Sequence, residues 1–177
     1  MLSAMGRFDE AMVALKRAQE LDPLAHRSDL ASNLLRIGRY DEALKVAVPI
    51  AELDPHYARG HATLGWAYLL TGSPEQGIAS LRRAAALSAG ETLWLAQLGQ
   101  ALAMVGQADE ARDVLRQLEQ LAQTQYVSPY HFAYVLTGLG RDDEAIGWLE
   151  RAYAERTGSV YGIKSSFLFA SLRTHPW

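Results

Sequence analysis

Cysteine is absent from the 177 residues. That excludes a disulfide framework, a thiolate zinc site, an iron–sulfur cluster and a cysteine nucleophile together. Excess charge of one sign is lacking too. The formal net charge is −3, so no global field draws the chain to nucleic acid or to an anionic surface. Arg82-Arg83 and the scattered arginines form no continuous basic stripe, and no direct nucleic-acid partner is expected. No apolar run approaches the roughly 18–20 residues that a membrane span needs. The start, Met1 to Arg7, holds no apolar stretch of signal-peptide length. A cytoplasmic location without a membrane partner is therefore expected. What is present is a hydrophobic content of 49%, enough for a packed core and too much for a disordered chain.

Signatures of catalysis are missing as well. There is no Gly-x-x-x-x-Gly-Lys phosphate loop, no His-Glu-x-x-His and no calcium loop. Gly138-Leu139-Gly140 opens like a dinucleotide fingerprint, but it lacks the third glycine and a preceding strand, and it reads as a helix stop. In Gly158-Ser159-Val160-Tyr161-Gly162 the serine stands one place too early for a nucleophile elbow. His56 and His61 flank a turn that begins at Asp54, and a metal site would want three convergent ligands with a supporting shell. These three read as surface residues. The expectation is a non-enzymatic chain with no catalytic residue, no cofactor and no metal.

A repeat organises the sequence. Gly38, Gly72, Gly106 and Gly140 are spaced by 34 each time. The columns Ala43/Gly77/Ala111/Ala145, Leu30/Leu64/Leu98/Phe132 and Leu34/Tyr68/Leu102/Leu136 keep the same period. Each unit reads as two helices. In residues 58–91, Leu64, Gly65 and Tyr68 share one helical face and Gly72 ends that helix. Ser73, Pro74 and Gln76 then suit a helix start, and Gly77, Leu81 and Ala84 form the second stripe. Acidic residues open the other second helices (Asp41-Glu42, Asp109-Glu110, Asp142 to Glu144), where they oppose the helix dipole. Gly65 or Gly99 is expected to face Gly77 or Ala111 where the paired helices cross closely. Pro49 falls inside the helix expected over 40–53 and predicts a kink or a short break.

The period of 34, with Leu64-Gly65-x-x-Tyr68, Gly72, Gly77, Leu81, Arg39-Tyr40-Asp41-Glu42-Ala43 and Leu53-Asp54-Pro55, resembles the tetratricopeptide repeat. The tryptophan typical of the first helix is replaced by Arg27, His61, Leu95 and Pro129. The resemblance implies an all-α, right-handed superhelix of helix hairpins. Residues 1–23 would be an incomplete leading repeat with only its second helix. Residues 24–57, 58–91, 92–125 and 126–159 would be full repeats, and 160–177 a C-terminal cap and tail centred on 160–172. The leading helix would expose Phe8, Met12 and Leu15, a face for self-association or an upstream domain. The run Tyr126-Val127-Ser128-Pro129-Tyr130, with Leu139 to Ala145, Trp148 to Tyr153 and Glu155-Arg156, resembles the closing repeat of bacterial multidomain signalling and transcription-regulator proteins. Lys164, Phe169, Leu172-Arg173 and Pro176-Trp177 continue that likeness in part. It implies a regulatory or scaffolding part of a larger protein, shortened at both ends.

The resemblance also implies a binding groove on the concave side, lined by the first helices. The corresponding positions here hold Ser28, Asp29, Ser32, Arg59, Thr63, Trp66, Leu69, Gln97, Gln100, Met104, Tyr130, His131 and Tyr134. Trp, Tyr and Arg anchor interfaces, and Gln and Ser bond a peptide backbone. Two readings stay open: a peptide groove anchored by Trp66 and Tyr134, or plain packing, with those two rings between neighbouring first helices and Tyr130 on the C-terminal cap. The basic clamp for a C-terminal carboxylate is not matched, because its positions hold Ser28, Ser32, Thr63, Leu93 and Gln97. The expected partner is a protein or peptide.

Overall fold

The computed structural model describes residues 7–21, 27–157, 163 and 166–174. The chain divides into two compact units, residues 1–87 and 88–177. The first unit holds α1 (Phe8–Leu21), α2 (Arg27–Arg36), α3 (Tyr40–Leu53), α4 (Ala58–Leu70) and α5 (Pro74–Leu87). The second holds α6 (Thr92–Met104), α7 (Ala108–Leu121), α8 (Pro129–Gly138) and α9 (Asp142–Ala154). Two short 3-10 turns follow, Phe167–Phe169 and Ser171–Thr174. No strand occurs among the described residues. In the first unit α2 packs on α3 and on α4, and α4 on α5. In the second, α6 packs on α7 and α8, and α8 on α9. The fold is an all-α helical repeat of the solenoid class.

The period reappears as a backbone device. Gly38, Gly72, Gly106 and Gly140 take φ values of 78°, 85°, 84° and 69°. After each of them, the next N–H (Arg39, Ser73, Gln107, Arg141) donates to the carbonyl of Leu34, Tyr68, Leu102 or Leu136, at 2.9, 2.8, 2.8 and 3.0 Å. This is the helix-ending geometry in which a left-handed residue lets the chain satisfy the last carbonyls. A Cβ in that conformation would cost about 1 kcal/mol.

The second helices α3, α7 and α9 begin with the expected acidic residues in their first turns, and two of them add an arginine. Arg39 and Arg141 occupy N-cap positions and make no side-chain cap. Each instead grips the glutamate three residues on with two hydrogen bonds. Arg39 reaches Glu42 at 2.6 and 2.5 Å, and Arg141 reaches Glu144 at 2.6 Å twice. Arg7 pairs with Glu10 in the same way at the start of α1. The pairs are exposed, so each contributes little to stability. They fix the entry of the helix more than its stability.

Close crossings depend on missing side chains. A Cβ on Gly65 would lie 2.7 Å from Leu81 Cγ and 2.9 Å from the Gly77 carbonyl oxygen. One on Gly77 would lie 2.5 Å from Leu69 Cγ and 2.9 Å from the Gly65 oxygen. The α4–α5 crossing is thus glycine on glycine, as the columns suggest. At Gly99 the neighbours are Val114 and Val135 rather than Ala111. There α6 accommodates two branched side chains from α7 and α8. Gly147 is the contrast: it is exposed in α9, with open space around it. Gly147→Ala is expected to stabilise the chain by about 1 kcal/mol through helix propensity. Gly65→Ala should instead lose stability because backbone atoms cannot yield. Paired urea titrations read both signs.

Two expectations are corrected. The short break expected at Pro49 is absent: residues 40–53 form one continuous helix with Pro49 inside it. Pro49 and Lys45 are both exposed, and that is the side on which water can serve the carbonyl the proline leaves unbonded. Pro49→Ala should stabilise by about 2 kcal/mol, the interior-proline cost of about 3 less about 1 for the looser unfolded chain. A shift in the urea midpoint measures it. The leading helix does not expose its whole stripe: Met12 is 9% exposed, and Phe8 and Leu15 are half-buried, with α1 lying on α2. Met12 lines a cleft of ≈ 220 Å³ with Leu30, Leu34 and Val46. The large apolar residues that α1 exposes are Val13 and Leu21. Of the expected cap, residues 166–172 lie within the two 3-10 turns and their flanks. Asp22 to His26, Gly158 to Gly162, Lys164 and His175 to Trp177 lie outside the described residues.

Candidate functional site

In the first unit the expected groove residues come from α2 and α4, which pack together. Ser28, Thr63 and Trp66 are buried, Asp29, Ser32 and Leu69 are half-buried, and Arg59 is exposed. Thr63 donates to the Arg59 carbonyl at 2.9 Å, so its hydroxyl serves its own helix. Arg59 reaches Asp29 across the two helices at 3.5 Å. Both ions are wet, which keeps the pair weak. Beside them a cleft of ≈ 400 Å³ is lined by Arg27, Asp29, Leu53, Asp54, Tyr57 and Arg59. Trp66 is 3% exposed, so the largest ring of the set is buried and not offered to solvent.

In the second unit the corresponding residues come from α6 and α8. Gln97, Gln100, Tyr130 and Tyr134 are buried, His131 is half-buried, and Met104 is 53% exposed. The tyrosines are covered by the chain's own C-terminal segment. The Phe169 ring lies 5.0 Å from Tyr134 in a stacked arrangement and 5.1 Å from Tyr130, edge on. Tyr130 and Tyr134 meet edge to face at 4.9 Å. Such arrangements are each favoured beyond the area they bury. Gln100 Nε2 donates to the Leu168 carbonyl at 2.5 Å, while Gln100 Oε1 is buried with no hydrogen-bond partner. The α6–α8 face therefore holds an aromatic side chain and a peptide carbonyl already.

At the head of the same helices, Thr92 Oγ1 and His131 Nδ1 share a hydrogen bond of 2.8 Å. Burial pushes the His131 imidazole down from 6.5 to about 4, so it is neutral at pH 7. Around it a cleft of ≈ 290 Å³ is lined by Glu91, Gln125, Tyr126 and Ser128.

The remaining polar candidates have local duties. Asp54 Oδ1 accepts from the His56 N–H at 3.0 Å, and His61 Nε2 lies 3.0 Å from the Pro55 carbonyl. Both contacts hold the turn between α3 and α4. Among the described residues no three of His, Cys, Asp or Glu converge where they could hold a metal ion, and no helix is long and apolar enough to cross a membrane. Tyr130 packs on the C-terminal segment, as the packing reading has it; that Phe169 is the docking residue and that it also covers Tyr134 was not predicted from the sequence. Its signal was the Phe-x-x-Leu-Arg segment, whose spacing gives composition but not destination.

Comparison with known proteins agrees with this architecture. Models described as tetratricopeptide repeat match residues 1–23, 28–92 and 93–117. No curated protein sequence matches significantly. The fold is similar to that of TTC0263, a thermophilic TPR protein of Thermus thermophilus. The TM-score is 0.71 at 23% identity, over 94% of this chain and 93% of that one. It is also similar to residues 41 to the end of MamA from Desulfovibrio magneticus, with a TM-score of 0.62 at 23% identity over 71% and 72% of the two chains. A further MamA crystal structure gives 0.56 at 22% identity over 87% and 91%. At these identities the likeness concerns the fold. With the glycine-ended hairpins and the three matched segments, it establishes that this chain carries tetratricopeptide repeats.

Proposed function

We propose that the chain is a non-catalytic protein-binding scaffold that takes a peptide or partner helix on the faces of its first helices. Tetratricopeptide repeats support the coarser reading of a protein–protein interaction scaffold. The finer reading rests on one observation. The α6–α8 face accommodates a peptide segment, with Gln100 on the Leu168 carbonyl and Tyr130 and Tyr134 against Phe169. A carbonyl-directed amide beside an aromatic slot is the chemistry by which grooves hold peptides. In the first unit, Arg59 with Asp29, Leu53 and Tyr57 would supply a more polar contact.

Selecting binders for the full chain from a displayed peptide library tests this. Micromolar binders are expected, weakened about tenfold by Met104→Glu or Arg59→Glu, both at exposed positions. Binders indifferent to both substitutions would overturn it. Trp66→Ala with Tyr134→Ala is unsuitable. Both rings are buried, at 3% and 6% exposure, and each truncation would cost about 3–5 kcal/mol in packing. The likeness of residues 126–156 to closing repeats of bacterial signalling proteins supports placing this scaffold in a larger regulatory protein. The intact mass of the native protein, set against 19.5 kDa, tests that reading.

A further inference from the structure

We infer that residues 166–174 are an exchangeable occupant of the α6–α8 face, an internal ligand that a partner's peptide displaces. The partner is a short peptide with an aromatic residue followed three positions later by an aliphatic one. The inference rests on the reading of that face as a peptide site, and adds its ligand class and its regulation.

The segment has the form of a bound peptide. Phe169 and Leu172 are 1% and 2% exposed, while Ala170, Ser171, Arg173 and Thr174 face solvent. Residues three apart eclipse one another in 3-10 geometry, so one edge carries both apolar side chains. The segment also bonds to itself. Ser166 Oγ accepts from the Leu168 N–H at 3.3 Å, and Arg173 Nη2 donates to the Ser166 carbonyl at 3.0 Å. Bonds this few shape the segment while it is seated, and they loosen once it leaves, because an isolated short turn is marginal in water.

The fit is incomplete at one atom. Gln100 is 2% exposed, and its amide offers a donor and an acceptor. The segment uses the donor at Leu168 and leaves Oε1 buried and unpaired. A peptide that placed a backbone N–H against Oε1 would make both bonds and relieve an unsatisfied acceptor. The internal segment competes through tethering, which gives it an effective concentration in the millimolar range. A better ligand therefore has something to gain, and it has a fixed competitor to remove.

The test uses the full chain and a fluorescent peptide of residues 163–174. Phe169→Ala with Leu172→Ala unseats the internal copy and leaves α6 and α8 unaltered. Anisotropy should show the peptide binding this variant at least about tenfold tighter than the unaltered chain. Adding Gln100→Ala should remove most of the gain. Equal affinity for the two chains would overturn the inference. Should the double variant lose its helical circular dichroism, amide exchange on the unaltered chain decides. Excess peptide should then speed exchange at Phe169, Ala170 and Arg173, whose N–H groups bond within the segment. Unchanged protection there would overturn the inference. Dimers of the unaltered chain that the peptide dissociates would also overturn it, since the segment would then be exchanged between copies. If library peptides bind the chain while this peptide does not, the inference fails and the binding reading stands. If no peptide of either source binds, both fail.

Discussion

Leu81→Ala is expected to destabilise the first unit by about 2–5 kcal/mol, toward the upper end of that range. Leu81 is 0% exposed and fills the space that Gly65 leaves open on α4. The cost of truncation depends on how far the surroundings collapse into the cavity. Here they are hindered: the carbonyl oxygen of each of Gly65 and Gly77 lies 2.9 Å from where a Cβ on the other would be. With backbone this near, the two helices have little room to close further. Urea unfolding followed by circular dichroism measures the loss. A loss under about 1 kcal/mol would mean that α5 slides over α4, and that the glycine crossing is not a fixed point of the fold.

Acid should weaken the second unit through His131. Its folded pKa of about 4 lies below the ordinary 6.5, because burial disfavours the charged ring. The unfolded chain therefore binds more protons between these values. The stability is fully present above pH 6.5 and is lost as the pH falls toward 4. The gap corresponds to about 3 kcal/mol. His131→Gln, which keeps a polar group near Thr92, should flatten the slope in that window. Glu144 and Glu155 are held below the usual carboxylate range by Arg141 and Arg151, so they respond at lower pH, below 4.5. The difference between the two proteins thus isolates the histidine. Identical slopes from pH 6.5 to 4 would contradict the burial argument.

The hairpins were legible because a solenoid writes each contact once per repeat. Gly38 and its successors need a left-handed residue at one place in every unit, so they form a column. Gly65 and Gly77 were legible as a close crossing for the same reason. The cap at Arg39 and Arg141 was half legible: the acidic partner obeys a dipole rule, while an arginine at the N-cap runs against the usual preference for small acceptors. Pro49 shows a limit of local rules, since an exposed carbonyl can lose its bond to proline without the helix ending. The groove was least legible. The family resemblance places Tyr130 and Tyr134 on a first-helix face, and it offers the C-terminal cap as a cover for Tyr130 without saying which residue provides it. The cover comes from Phe169, well outside the repeat, through a long-range contact that no period announces.

The α6–α8 face is the place where a bound peptide is expected to lie. The most direct test is a titration of isotope-labelled full chain with a selected peptide, followed by nuclear magnetic resonance. Shifts are expected at the Gln100 side-chain amide and at Tyr130, Tyr134 and Phe169. Shifts confined to the exposed side of α7, at Arg112 and Arg116, with the Gln100 amide unmoved, would contradict it.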